Sequence, residues 1–211
     1  MECIIVLVCI LLILICYKGK YKFLELMDTK QSRSSLDNRN YSVSKAFSDG
    51  DKAADTLSKL HAFICKFLEY LKKNYLKNPN NTNDKKQFIK RILYKYNPDT
   101  LYENNPYNGG ETSFVVNKGS SFGVCLREKI SVNPDKIHNF NTLQFVVLHE
   151  ITHIGTKTYG HNDEFWSRFK FLLSEAYKSG LYKPIDYKIT PMNYCGLTIT
   201  SNPLFDNTLA Y

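Results

Sequence analysis

The 211-residue sequence predicts an α+β domain of ~160 residues behind a hydrophobic leading segment, a length sufficient for a core of its own. Three observations point there. Apolar residues recur at helical spacing in two runs between Asp51 and Tyr96. Thr112–Asn117 and Ser121–Arg127 are short β-prone runs joined by Lys118-Gly119-Ser120, the pattern of a hairpin. Two further helical runs then follow, one ending in a cluster of histidines. Internal repeats and phosphate-binding glycine loops are absent from the sequence.

Cys3 through Cys16 is unbroken apolar sequence, followed by Lys18, Lys20 and Lys22. As a helix it spans ~21 Å against the ~30 Å of a hydrocarbon core, so an anchor over residues 1–17 must borrow Met1 and Tyr17 while the lysines snorkel. A secretory signal is the rival, but only the α-amino group puts positive charge ahead of the run and no small-residue cleavage site follows. A buried core helix fits poorly, since the segment has no polar face. Lysines after the run predict a single-pass membrane protein with its domain in the cytosol, on a host or virion membrane. Residues 18–50 turn polar, rich in Ser, Asn, Asp and Lys beyond 27, and read as a flexible tether ahead of a domain over 51–211.

Ala54, Leu57, Leu60, Ile64, Phe67, Leu68, Leu71 and Tyr75 predict a long amphipathic helix over Asp51–Lys77. Phe88, Ile89, Ile92 and Leu93 predict a shorter one over Lys85–Tyr96, after a break at Asn78–Asn83. Both are expected to cover the sheet. Asn97–Gly110, with two prolines and many asparagines, reads as a loop. In the hairpin, Phe122–Arg127 either offers a free edge to an extended peptide or lies inside the sheet, and the sequence leaves both open. After Gly180 the chain passes Pro184, Pro191 and Pro203 with little periodicity and is expected to wrap the surface.

The chemistry concentrates at His149-Glu150-Ile151-Thr152-His153, with His161 eight residues beyond. Positions i and i+4 share a helix face, so His149 and His153 can reach one ion ~2.0–2.1 Å from each ring nitrogen. Glu150 stands beside them, placed to take a proton from water without itself ligating. Asn141 as cap, with Gln144 three residues on, predicts the helix start. Leu143, Phe145, Val146, Val147, Leu148 and Ile151 make this helix apolar almost all round, and histidines on a buried helix need partners. Gly155 is expected to leave the helix with positive φ and turn His161 back toward the pair. Three ligands with an open position is the arrangement of a catalytic zinc site, whereas a structural site more often closes with a fourth ligand.

Glu164 and Glu175, on the following helix, compete with His161 for the third ligand position. The helix dipole already accounts for Glu164. Glu175 lies beside a core stripe of Phe165, Phe169, Leu172, Leu173 and Ala176. His61 and His138 have no comparable constellation. Tyr159 and Tyr194 are possible oxyanion donors, although packing is the commoner use of a tyrosine in a chain that has fifteen.

The stretch 149–153, with Tyr159-Gly160-His161 and Glu164-Phe165-Trp166, resembles the WLM metallopeptidases, relatives of the SprT-like group, and in particular the short forms encoded by large DNA viruses. The likeness runs over roughly residues 95–205. It takes in Val116-Asn117-Lys118-Gly119, Val124-Cys125-Leu126-Arg127, Tyr194-Cys195-Gly196 and Ser201-Asn202-Pro203. It implies a minimal zincin-like fold and hydrolysis of protein or peptide substrates, with His149, His153 and His161 as Zn2+ ligands and Glu150 as general base. The seven residues between His153 and His161 set the chain apart from the metzincin pattern H-E-x-x-H-x-x-G-x-x-H.

Cellular relatives of that family are associated with removing proteins crosslinked to DNA, and the net charge of +8 raises the same question here. The charge is spread, no block of five or six basic residues appears, and part of it follows the anchor. DNA-directed proteolysis therefore stands second to a membrane-associated, monomeric endopeptidase. A virion protein with a purely structural zinc is a third reading, against which Glu150 argues. Three of six cysteines lie in the anchor, leaving Cys65, Cys125 and Cys195 without a regular spacing. Reduced thiols are expected, with Cys125 packed and Cys195 only marginally a zinc ligand.

Overall fold

A computed structural model describes residues 28–105, 112–128 and 136–209. The proposed anchor over 1–17 lies outside the described residues. Among those described, no helix is long and apolar enough to cross a membrane.

The fold is α+β. Strands β1 (Thr29–Arg33) and β2 (Asn40–Ser44) precede helix α1 (Gly50–Leu71), which runs on into a π-helical turn at Lys72–Leu76. Helix α2 (Asn83–Lys95), strands β3 (Leu101–Glu103), β4 (Phe114–Val116) and β5 (Ser121–Val124), and helices α3 (Phe140–Gly155) and α4 (Asp163–Lys178) follow. The chain closes with a hairpin of β6 (Met192–Tyr194) and β7 (Leu197–Ile199) and a 3-10 turn at Pro203–Phe205.

The stripe expected on α1 is its buried face: Ala54, Leu57, Leu60, Ile64, Phe67, Leu68 and Leu71 all join the core. Helix α2 starts where Thr82 accepts a hydrogen bond from the Lys85 N–H, and it buries Phe88, Ile89 and Ile92. The predicted hairpin forms, with Phe114 opposite Gly123 and Val116 opposite Ser121. Its second strand is interior. β5 also pairs in parallel with β3, giving the order β3-β5-β4. Among the described strands, therefore, β4 lies at an edge of this sheet and Phe122–Val124 does not. Three residues of β3 inside a Pro- and Asn-rich stretch are too few to show a period, so the expected loop over 97–110 concealed them.

Residues 29–44 are not a tether but an antiparallel hairpin, Thr29 opposite Ser44 through Arg33 opposite Asn40. Tyr41 and Val43 are buried in the main core. Their neighbours are polar, yet partnered at long range. The Asp55 carboxylate on α1 accepts hydrogen bonds from the Ser34 and Ser35 hydroxyls. Just downstream, Asp49 pairs with the fully buried Arg127 at 2.7 Å, and Arg127 also holds Glu103 at 2.8 Å. The other Glu103 oxygen accepts from the Ser44 N–H at 2.9 Å. Two carboxylates around one buried guanidinium tie this segment to the sheet, and losing either partner would leave a charge uncompensated.

Cys125 and Cys195 form a disulfide across 70 positions of sequence. This corrects the expectation of reduced, unpaired thiols: the two lie far apart in sequence, and only the return of β6–β7 to the end of β5 makes them neighbours. Cys65 alone is free among the described residues.

Candidate metal centre

Helix α3 carries the first two histidines. Its cap is Asn139, whose side chain accepts from the Asn141 N–H at 2.9 Å, two residues ahead of the expected start. Asn141 instead bridges to Lys183, donating to its carbonyl and accepting from its N–H. Leu143, Val147, Leu148, Ile151 and Ile154 are fully buried, fixing the rotation of the helix so that His149 and His153 face a cleft.

Gly155 does not have the positive φ expected of it. Its role is close approach: a Cβ there would lie 2.4 Å from Phe88 Cε2 and 2.7 Å from Ile92 Cγ1 of α2. The Arg91 Nε–H donates to the Gly155 carbonyl at 2.5 Å, satisfying one of the open acceptors at the helix end. The reversal falls to Thr156, extended at φ −69° and ψ 149°, and to Gly160 at φ 80°.

The loop so formed brings His161 back. The Nε2 atoms of His149 and His153 are 3.2 Å apart, those of His153 and His161 3.1 Å, and those of His161 and His149 3.0 Å. A tetrahedral ion ~2.0–2.1 Å from each nitrogen requires separations of ~3.3–3.4 Å. The residues present fit zinc closely. Burial pushes the His149 imidazole down to about 3 and His153 to about 4, the neighbouring imidazoles acting in the same direction, and burial lowers His161 as well. Neutral imidazoles keep the lone pairs that a metal needs. Fully buried Phe165 is their common platform, with ring centroids 4.3 Å from His153, 4.7 Å from His161 and 4.8 Å from His149. Sequence periodicity marked Phe165 only as core.

Neither competing carboxylate joins the cluster. Glu164 accepts from the Lys157 and Thr158 N–H groups at 3.3 Å and from the Thr158 hydroxyl at 2.7 Å, pinning the loop that delivers His161. These bonds hold its carboxyl below the usual range although burial opposes them. Glu175 pairs with Lys178 and accepts from the Tyr70 hydroxyl. Lys118 is a feature the sequence did not disclose: its buried ammonium donates to the Thr158 carbonyl at 2.5 Å and the Thr156 hydroxyl at 3.3 Å, and stands 4.5 Å over the Tyr159 ring. The loop is held from both sides.

The histidines open on a cleft of about 850 Å³, also lined by Glu150, β4 and the β6–β7 hairpin. Glu150 is 5% exposed. Tyr194 borders the cleft too, but its hydroxyl donates to the Cys125 carbonyl at 2.8 Å and meets the Ser113 hydroxyl at 2.6 Å, which in turn accepts from the Cys125 N–H. That closed circuit, and a phenol raised by burial, make Tyr194 a fastening rather than an oxyanion donor. His138 accepts from the Cys195 N–H at 3.2 Å and reaches Glu128 through Nδ1 at 3.3 Å, its ring 4.8 Å from Tyr194. The disulfide, Tyr194 and His138 together fix one wall of the cleft. Tyr159, 74% exposed, stands at its rim.

No family model matches the chain. The crystal structure of Wss1 from Saccharomyces cerevisiae is similar at a TM-score of 0.43 and 18% identity, covering 66% of this chain and 90% of that one. A likeness so loose assigns no activity. Uncharacterized protein 136R of Invertebrate iridescent virus 6 is 38% identical over 86 residues, 41% of this chain and 46% of its own length. Uncharacterized protein R325 of Acanthamoeba polyphaga mimivirus is 32% identical over 172 residues, 82% of this chain and 83% of R325. Identity of that extent over most of both chains reflects common descent, and the chain belongs to the family of mimivirus protein R325.

Proposed function

We propose that the chain is a zinc-dependent metalloendopeptidase of the WLM type. The reading rests on one observation: three neutral imidazoles converge within 3.0–3.2 Å of one another in a cleft that also holds the Glu150 carboxyl. Zinc, when bound, supplies Lewis acidity that acidifies water and polarises a carbonyl. Glu150 takes the proton of the attacking water and passes it to the leaving amine. The β4 edge, Phe114–Val116, borders the cleft and pairs only with β5 among the described strands. Its main chain is therefore positioned to align an extended peptide whatever its side chains. A carboxyl only 5% exposed beside the ligands favours a catalytic over a purely structural zinc.

Glu150→Gln in the purified full chain should keep one zinc per chain and lose cleavage of a denatured protein by several orders of magnitude, while His149→Ala or His153→Ala should lose the metal. Equal cleavage by wild type and Glu150→Gln would reject the mechanism. Stimulation by single-stranded DNA would turn the proposal toward crosslinked proteins on DNA.

We further propose that residues 1–17 tether the enzyme to a membrane with the domain cytosolic, on the strength of Lys18, Lys20 and Lys22. The Cys125–Cys195 bridge pulls the other way, toward an oxidising compartment. Two sequons separate the cases, since Asn40 and Asn80 are both exposed. They should stay bare in a eukaryotic secretory system. A glycosidase-sensitive mass shift lost in Asn40→Gln or Asn80→Gln would place the domain in the lumen.

A further inference from the structure

The fold concentrates a charge that forms no block in the sequence. Residues 50–95, which make α1, the π-helical turn and α2, hold eleven basic and four acidic residues, +7 of the chain's +8. On α1 the helical period orders them. Lys52, Lys59, Lys66 and Lys73, the last just inside the π-helical turn, recur at every seventh residue. That spacing drifts only ~20° around a helix at each step, so the four form one stripe ~31 Å long. Burial of Leu57, Leu60, Ile64, Phe67 and Leu71 fixes the rotation of α1 and turns the stripe outward, and all four lysines are exposed. Lys72 and Lys77, also exposed, continue it past the helix end. Over residues 50–77 the exposed acids are Asp51 and Glu69, while the half-buried Asp55 is engaged by the Ser34 and Ser35 hydroxyls. No large apolar side chain is exposed on α1.

A lysine face without an apolar centre is poorly suited to a protein partner, since protein interfaces deplete lysine and bury aromatic or aliphatic anchors. It suits a diffuse layer of anionic headgroups, where each lysine near the surface adds its own attraction. We propose that this face of α1 docks on the anionic leaflet of the membrane that holds the N-terminal segment. The proposal rests on the anchor reading above and adds to it the surface and the lipid. Reach favours it. Because Thr29 already opens β1, only residues 18–28 separate the leading apolar segment from the folded domain, a span of at most ~40 Å, and Lys18, Lys20 and Lys22 lie within it. A domain on so short a leash meets the headgroups at high effective concentration, so a weak electrostatic contact is enough to orient it. The cytoplasmic leaflet is the anionic one, in keeping with a cytosolic domain. None of the residues that line the cleft belongs to α1 or the π-helical turn, so docking there uses no part of the candidate site.

The test reconstitutes the full chain in phosphatidylcholine vesicles, with or without phosphatidylserine, and follows acylation of lysines by a membrane-impermeant reagent through peptide mass spectrometry. Lys59, Lys66 and Lys73 should be acylated about fivefold more slowly with phosphatidylserine, while Lys183 and Lys188, exposed elsewhere on the domain, keep their rate. High salt should erase the difference, because headgroup attraction is screened within a Debye length. Lys59→Glu combined with Lys66→Glu, both at exposed positions where folding is not at stake, should restore rapid acylation of Lys52 and Lys73. A chain that withstands carbonate washing yet shows equal rates in the two vesicles, or slowing shared by Lys183 and Lys188, would overturn the docking and leave the anchor standing. Loss of the chain from washed vesicles would overturn both. Stronger slowing by a DNA duplex than by phosphatidylserine vesicles would overturn the lipid assignment and give the face to nucleic acid.

Discussion

Replacing Gly155 by alanine sets two effects of opposite sign against each other. The residue lies in α3 with a helical φ, so its backbone does not require glycine, and propensity alone would make alanine more stable by ~1 kcal/mol. Packing says otherwise. The added methyl would stand 2.4 Å from Phe88 Cε2, 2.7 Å from Phe88 Cδ2 and 2.7 Å from Ile92 Cγ1, against the ~3.5–4.0 Å of an ordinary carbon contact. Neither neighbour can step aside easily. Both are fully buried, and the Phe88 ring is hemmed in by Phe171 at 6.3 Å and by the Arg168 guanidinium at 5.2 Å.

An extra methyl forced into such a place costs ~3 kcal/mol, the upper end for overpacking. Less the propensity gain, Gly155→Ala should destabilise by about 2 kcal/mol and lower Tm by ~4–8 °C. Because His153 lies two residues back and the Arg91 bond is made to the Gly155 carbonyl, the displaced helix end should also weaken zinc binding. Urea denaturation and zinc titration read the two effects. In a Phe88→Leu background the added cost of Gly155→Ala should shrink, a coupling that a double-mutant cycle isolates. Unchanged or raised stability of Gly155→Ala would refute the packing argument.

Glu164→Ala should weaken zinc binding about tenfold by freeing the loop before His161, as loss of an indirect support does, whereas complete loss of metal in equilibrium dialysis would restore Glu164 as a ligand. His138 is lowered by burial from 6.5 to about 4, so the unfolded chain binds the extra proton first, and the stability that His138 contributes is present above pH ~6.5 and lost as pH falls toward 4, by at most ~1.4 kcal/mol per pH unit. Urea midpoints between pH 7 and 4 should fall less steeply for His138→Gln than for the wild type, and parallel slopes would contradict the assignment. Cys195→Ser opens a bridge spanning 70 positions and should cost ~2–4 kcal/mol, with one further reactive thiol in the unreduced, denatured protein; a thiol count lower by one would deny the disulfide.

What the sequence disclosed was what repeats locally. Helix α1 declared itself through seven buried residues at helical spacing, and the β4–β5 hairpin through two β-prone runs around a glycine turn. His149, His153 and Glu150 were legible because the helix period alone puts them on one side. The third position was not decided that way, since His161, Glu164 and Glu175 all lay within reach, and only the hydrogen bonds that engage the two carboxylates elsewhere separate them. The cap of α3 was misplaced for a related reason. Two asparagines stand two residues apart, and contact with Lys183 removes Asn141 from the contest. The β1–β2 hairpin escaped notice because Tyr41 and Val43 are its only residues in the apolar core and it takes polar support from Asp55 and Glu103, both distant in sequence.

The candidate site thus divides into chemistry that is encoded locally and geometry that is not. A helix and the loop that follows it place every proposed zinc ligand and the base within thirteen consecutive residues, 149 to 161. Yet the turn is held by Lys118 from the β4–β5 hairpin and Glu164 from α4, the helix end by Phe88, Arg91 and Ile92 from α2, and the cleft wall by Cys125, Ser113 and His138. Phe88 and Ile92 were visible in the sequence as the apolar face of α2, but neither they nor the polar supports carry a signal of what they touch, since each reaches between elements distant in sequence. The three imidazole Nε2 atoms lie within 3.2 Å of one another, burial favours their neutral form, and hydrogen bonds from Lys118 and to Glu164 hold the loop that carries His161. Substitutions at positions 118, 155 and 164 should therefore act on metal affinity while leaving proton transfer by Glu150 intact once zinc is saturating, and Glu150→Gln should do the reverse.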